Sequence, residues 1–323
     1  MKSLSKWNPS DVVRLALFIG VPVCFSLSNS IYLSGGNLFA LMQSFALVGL
    51  VTLGLALTMI VGEFDLSVSS MVAVGGLILA KTGVDSAWVG VGCAVAFGVV
   101  VGIINTLLVI KLKVSSLVTT LGVMILLSGF AYWIAGGQVV PYFNFDASDV
   151  LDQQMAYLFS PRILITIAAM LAVFIVLTFT RLGRDIYATG SHRQSAMMSG
   201  AKTSASLYFA FICSGAFSAL AGALISISLA TGSPTLGSTL LVQAASAAIL
   251  GGVSLNGGVG KVGNIVIGVL ILAALNNGLS LAGVSSAMTL LVNGIVLAGV
   301  VMINGELGDV LKAKATRSTQ QKA

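Results

Sequence analysis

Residues Phe39–Val61 read FALMQSFALVGLVTLGLALTMIV, and residues Gly62–Ser70 continue as GEFDLSVSS. The first stretch carries no charge and is long enough for a helix to cross a hydrocarbon layer, which takes about 20 apolar residues. The second places two carboxylates, Glu63 and Asp65, directly before another apolar run, MVAVGGLILA (Met71–Ala80). Ionised groups are costly at membrane depth. A spanning helix followed by a polar break and a second apolar run therefore sets the class of the chain.

Composition points the same way. Of 323 residues, 57% are hydrophobic and 8% charged, and the mean hydropathy is +1.04. A soluble domain carries roughly 25% charged residues. The apolar runs are continuous rather than alternating, which excludes membrane strands and favours helices. The expected fold is an all-α polytopic membrane protein of ten spans, at about 12–29, 39–61, 66–83, 87–110, 117–136, 161–180, 204–230, 239–257, 263–281 and 285–304. The first run, LALFIGVPVCFSLSNS, lacks a clean A-x-A site and reads as a retained span rather than a cleaved leader. Residues 1–311 form one membrane domain and 312–323 (KAKATRSTQQKA) a solvated cytoplasmic tail.

The net charge of +6 follows the loops. With both termini cytoplasmic, Lys2, Lys6, Arg14, Lys111, Lys113, Arg181, Arg184, Arg193, Lys202, Lys261 and the basic residues of the tail share one side. That is fourteen of sixteen, with only Lys81 and Arg162 outside. The outer loop 137–160 carries Asp146, Asp149 and Asp152 and no basic residue. This is the positive-inside pattern. Cys24, Cys93 and Cys213 each sit in an apolar run and read as free core residues.

Three polar constellations remain. In GEFDLSVSS the glycine permits a break, and Asp65, Ser67 or Ser69 can cap a new helix. The break reads as such a cap, or as a discontinuous helix lining a transport path, or as a proton or cation site. The second, ILGGVSLNGGVGKVGN (Ile249–Asn264), shares the frame I-[VL]-G-x-x-x-L-x with IVGEFDLS and hints at a duplication. Its GGVGK is no phosphate loop, because Leu255 and Val262 stand where Gly and Ser/Thr are needed. The third is TRLGRDIYATGSHRQSAMMSGAKTS (Thr180–Ser204), either an ordinary basic loop or a docking segment. RQSAMMSGAK suits a short helix ended by Gly200. His192, the lone histidine, reads as a surface residue. Gln43, Asn105, Gln243, Asn276, Asn277 and Asn293 lie inside spans. Such amides commonly bond another helix. With Tyr132, Trp133 and Tyr142 they would also suit an uncharged, hydroxyl-rich solute. No HExxH, GxSxG or GxGD motif is present, so the competing reading of a membrane enzyme lacks a catalytic set.

These stretches resemble a known family. GEFDLSVSSMVAVGG is similar to G-x-[IF]-D-L-S-V-G-S. GRDIYATGSHRQSAMMSG is similar to G-R-x-x-Y-A-x-G-x-x-x-x-A-A-x-x-S-G. ILGGVSLNGGVGKVGNIVIGVLIL with NNGLSLAGVSS is similar to a G-G-x-S-L-x-G-G-x-G signature. Together they resemble a permease subunit of the ribose/xylose/arabinose class of bacterial ABC sugar importers. Ser69 departs from the family's Gly, and SHRQ from its GNEE-like turn. The resemblance implies a permease in the bacterial inner membrane that moves a pentose or hexose, driven by ATP hydrolysis on partner subunits. It implies a second permease chain, an ATP-binding cassette ATPase holding ATP and Mg, and a periplasmic sugar-binding protein. No cofactor or metal belongs to this chain. The loop 181–203 would supply the coupling helix, with Gly190, Ala196, Ser199 and Gly200 as coupling positions. From polarity alone, Glu63, Asp65, Asn105, Gln243, Asn276 and Asn277 are the candidate pathway residues. Alternatives are an ABC permease for an autoinducer, polyol or branched-chain amino acid, or an ion-coupled transporter.

Overall fold

Each of the ten apolar runs holds a helix in a computed structural model of the chain, which describes residues 9–304, but in the run 239–257 the helix stops at Leu250 and 251–257 form a glycine-rich turn. The tail expected beyond residue 312 lies outside the described residues, as do Lys2 and Lys6. In order, the elements are α1 (Pro9–Ser28), α2 (Gly35–Ile60), α3 (Val68–Thr82), α4 (Ala87–Lys111), α5 (Ser116–Ala135), β1 (Val140–Pro141), α6 (Phe145–Leu151) and α7 (Pro161–Phe179). Then come α8 (Arg181–Ser191), α9 (Arg193–Met198), α10 (Thr203–Ser228), β2 (Thr231–Gly232), α11 (Leu240–Leu250), α12 (Val262–Leu281) and α13 (Ser286–Asn304). Six helices (α2, α4, α5, α7, α10 and α12) are long and apolar enough to cross a membrane, and four shorter apolar helices accompany them. The fold is helical with one correction: Val140 and Pro141 pair antiparallel with Gly232 and Thr231. This two-residue ribbon ties the 137–160 loop to the end of α10.

The bundle is built on α2 and α10. Between helices already in lipid the hydrophobic effect supplies no drive, so close packing of small residues must hold them. On α4, Gly98 and Gly102 are four apart and meet the α10 backbone. A Cβ on either would lie 2.4 Å from the carbonyl oxygen of Gly215 or of Phe211. On α3, Gly75 meets Ala219 and on α10 Gly222 meets Val72 in the same way. Some buried hydroxyls satisfy themselves: Thr52 on α2, Thr106 on α4 and Ser246 on α11 donate to the carbonyl four residues back, whereas Ser218 and Ser226 on α10 find no hydrogen-bond partner.

The cysteines are free, but Cys24 and Cys93 are exposed and only Cys213 is partly buried. The core expectation fails for the first two because an apolar residue loses nothing by facing lipid. Chain direction gathers Arg14, Lys111, Lys113, Arg181, Arg184, Arg193, Lys202 and Lys261 at one end of the bundle, here the basic end. Lys81 and Arg162 lie at the other.

Candidate functional site

At the basic end α2 stops in a Schellman turn. Gly62 takes φ +87°, its N–H donates to the Met59 carbonyl at 3.0 Å, and the Glu63 N–H donates to Thr58 at 2.9 Å. Residues 63–67 then run non-helical to α3, and a buried backbone needs partners for its N–H groups. The Phe64 N–H donates to Ser116 Oγ (3.2 Å) and the Leu66 N–H to Thr120 Oγ1 (3.0 Å), both at the start of α5. Asp65 is 1% exposed. Its Oδ1 accepts from the Ser67 N–H (2.9 Å) and Ser67 Oγ (2.5 Å), and its Oδ2 from Ser214 Oγ on α10 (2.7 Å). Asn105 Nδ2 on α4 donates in turn to Ser67 Oγ at 3.1 Å. Every donor in this chain points toward Asp65, which therefore acts as an acceptor on both oxygens at the positive end of α3.

The second break follows α11 and has the same backbone closure. Gly252 takes φ +76°, its N–H donates to Ile249, and the Val253 N–H donates to Ala248. The shared letters I-x-G are one residue out of step with this equivalence, since Gly62 matches Gly252 and not Gly251. Beyond it the turn closes on itself, the Ser254 N–H donating to Val259 and the Gly257 N–H to Ser254.

The two breaks meet at α8. The Gly258 N–H donates to the Ile60 carbonyl at 2.8 Å. Gly190 lies against both: a Cβ there would sit 1.9 Å from Ile60 O and 2.5 Å from the Gly258 nitrogen. Tyr187 Oη donates to the Gly260 carbonyl at 2.7 Å, and burial raises the phenol above its ordinary pKa, so it remains a donor. Arg193 at the start of α9 pairs with Glu63 at 3.1 Å.

The polar segment 181–203 is thus two helices. α9 with Gly200 at φ +84° matches the expected short helix and its stop. α8 was not expected. Thr180 caps it by accepting from the Gly183 N–H, and Gly183, Ile186, Thr189 and Gly190 form its buried face. Of the four coupling positions, Gly190 and Ala196 are buried, whereas Ser199 and Gly200 are exposed. His192 is exposed, as expected of a surface residue, and its Nδ1 also caps α9 by accepting from the Ser195 N–H.

The pathway candidates separate. Asp65 and Asn105 join in one buried cluster, while Glu63 points to α9. Asn277 and Asn37 exchange reciprocal amide bonds of 2.8 and 2.9 Å between α12 and α2. Gln243 is half-buried on α11. Asn105 Oδ1 and Asn276 Oδ1 are buried without a hydrogen-bond partner, as are both amide atoms of Asn293. Among the described residues no group of His, Cys, Asp and Glu could hold a metal ion.

Sequence reading missed Ser214 and the far-end network. Ser206, Ser214, Ser218, Gly222 and Ser226 recur at multiples of four along α10, a spacing that marks its buried face. At the opposite end, Arg162 is 4% exposed and pairs with Asp152. Gln43 donates to the same carboxylate and accepts from Ser160 Oγ. Arg162 was one of two exceptions to the charge rule, and a buried exception needs a counter-ion.

The site is thus a helical bundle whose two polar breaks are gripped by one helix pair, α8 and α9. Residues 37–301 match the family described as branched-chain amino acid transport system / permease component, and the chain belongs to that family. It is 32% identical over 286 residues to the L-arabinose transport system permease protein AraH of Escherichia coli K12, covering 87% of this chain and 85% of that one. It is 33% identical over 294 residues to the ribose import permease protein RbsC of Bacillus subtilis, covering 90% and 91%. It is 31% identical over 290 residues to the D-allose transport system permease protein AlsC of Escherichia coli K12, covering 88% and 89%. No solved structure matches the chain.

Proposed function

We propose that the chain is the inner-membrane permease subunit of a monosaccharide importer of the ATP-binding cassette type. The observation that carries the reading is the joint at Gly190, where α8 touches the end of α2 and the turn that follows α11. A push on α8–α9 from the cytoplasm would reach both breaks at once. Similarity to permeases named for arabinose, ribose and allose supports a pentose or hexose as solute.

In this reading the ten helical runs lie in the bilayer, six of them long enough to cross it alone, with both termini inside, because that orientation puts the basic end in the cytoplasm. An ATPase subunit docks on α8–α9 with Ala196, Ser199 and Gly200 beside Gly190, and ATP and Mg stay on that partner. A second permease chain completes the path, and a periplasmic sugar-binding protein delivers the solute. Asn105, Gln243 and Asn276 are the pathway candidates left with free or half-free amides. The acids Glu63 and Asp65 and the amide of Asn277 are already engaged by protein groups, so their part in the path would be indirect.

Affinity capture of the chain from its native membranes, followed by uptake of labelled ribose, arabinose and allose, tests this. Co-purification of a cassette ATPase and a sugar-binding protein, with uptake that survives an uncoupler, is expected. Uptake that an uncoupler abolishes would point to an ion-coupled carrier. The family description favours one second reading, branched-chain amino acids, and labelled leucine in the same assay decides it.

A further inference from the structure

A cavity of about 1060 Å³ opens at the basic end between α1, α7, α8 and the turn after α11. Its two halves differ in chemistry. One wall is polar and basic: Arg14, Lys261, Asn256 and Asn264 line it beside exposed glycine backbone, and among the described residues no acidic side chain does. Arg14 is seated there by an Nε bond of 2.9 Å to the Leu250 carbonyl, its guanidinium lying where Gly252 has no side chain. The Lys261 side chain makes no ion pair or hydrogen bond among the described residues, and the first turn of α12 behind it has no side-chain cap.

The other wall is apolar. Phe174 and Leu177 come from α7 and Val301 from α13. Phe174 stands five residues before the end of α7, roughly 7 Å along the helix, within a helix long and apolar enough to cross a membrane, whereas the basic wall lies at the bundle's basic end. A protein docking from water reaches only the second. A molecule with an anionic head and an apolar tail reaches both.

We propose that this cavity binds one anionic phospholipid of the adjoining leaflet, its phosphate against Lys261 and an acyl chain along Phe174, Leu177 and Val301. Basic recesses between membrane helices suit such headgroups, and the volume matches a site for a headgroup and the first part of a chain. The inference rests on the orientation proposed above only in assigning that leaflet to the cytoplasmic side. Because the cavity floor is the turn that meets Gly190, the bound lipid would brace the second break.

The test uses the full chain carrying Phe174→Trp, an aromatic exchange at a position already 41% exposed. It is reconstituted in phosphatidylcholine vesicles containing tail-brominated phosphatidylglycerol or tail-brominated phosphatidylcholine, with the parent chain as background. The introduced indole is expected to be quenched several-fold more effectively by the anionic lipid. Adding Lys261→Gln is expected to weaken that preference about fivefold. Equal quenching by both lipids overturns the proposal. Abolition of the preference by inorganic phosphate assigns the anion site to free phosphate and overturns the lipid source. Loss of the preference on assembly with the cassette ATPase overturns it in favour of a protein cover. Impermeant-thiol labelling of Lys261→Cys reads the side separately: labelling from outside would reject the orientation while leaving a lipid preference intact.

Discussion

The break after α2 and the break after α11 end their helices with the same backbone turn and meet the same glycine, yet they are held differently. The first is pinned by side chains from α4, α5 and α10, with the buried Asp65 accepting from Ser67 and Ser214. The second closes on its own backbone and on the Tyr187 hydroxyl, beside a cavity. A buried cluster of mutually hydrogen-bonded side chains resists rearrangement, whereas a glycine turn changes shape at little cost. We expect the first break to be the fixed anchor of the α8 joint and the second its moving side.

Asp65→Ala is the strongest way to break this contrast. It leaves the Ser67 N–H and two buried hydroxyls without an acceptor, at about 1–3 kcal/mol each. A collapse in folded yield and a lowered melting temperature in detergent are expected, with partial recovery in Asp65→Asn. An unchanged melting temperature would remove the anchor. Tyr187→Phe deletes one bond at the second break and should cost about 1 kcal/mol, visible in the same melt as a much smaller shift. Gly62→Ala and Gly252→Ala each force a side chain onto a left-handed residue, about 1 kcal/mol apiece, and Gly252→Ala also pushes aside the Arg14 guanidinium. Differential uptake loss between these two would show which break moves. Glu63→Gln should be the mildest: Arg193 is 42% exposed, and such pairs contribute about 0.5 kcal/mol or less. Salt titration of uptake in that variant reads the difference.

Much of this was legible in the residues. Continuous apolar runs located the helices because spanning a bilayer demands length and apolarity together. Loop charge grouped one end. GEFDLS announced a break, since two carboxylates cannot sit inside a span unpaired. What could not be read was which groups meet across distance. Asp65 is held by Ser214, some 149 positions away, and serines in an apolar helix usually mean self-satisfaction. Asn277 looked like a pathway amide, but its neighbour Asn37 consumes it. α8 was obscured because its apolar face is built of Gly, Thr and Ile rather than large residues. The motif frame that linked the two breaks was off by one, because short letter matches do not see φ.

The most direct test of the joint is Gly190→Ala in vesicles holding the assembled transporter, with ATP hydrolysis and sugar uptake measured on the same sample. A methyl group 1.9 Å from Ile60 O must force α8 away from one break or both. The expected result is continued hydrolysis with uptake reduced at least about tenfold, the effect of some 1.4 kcal/mol on the transport step. Hydrolysis and uptake both at the parent level would contradict the account, because α8 would then drive the breaks by some route other than Gly190.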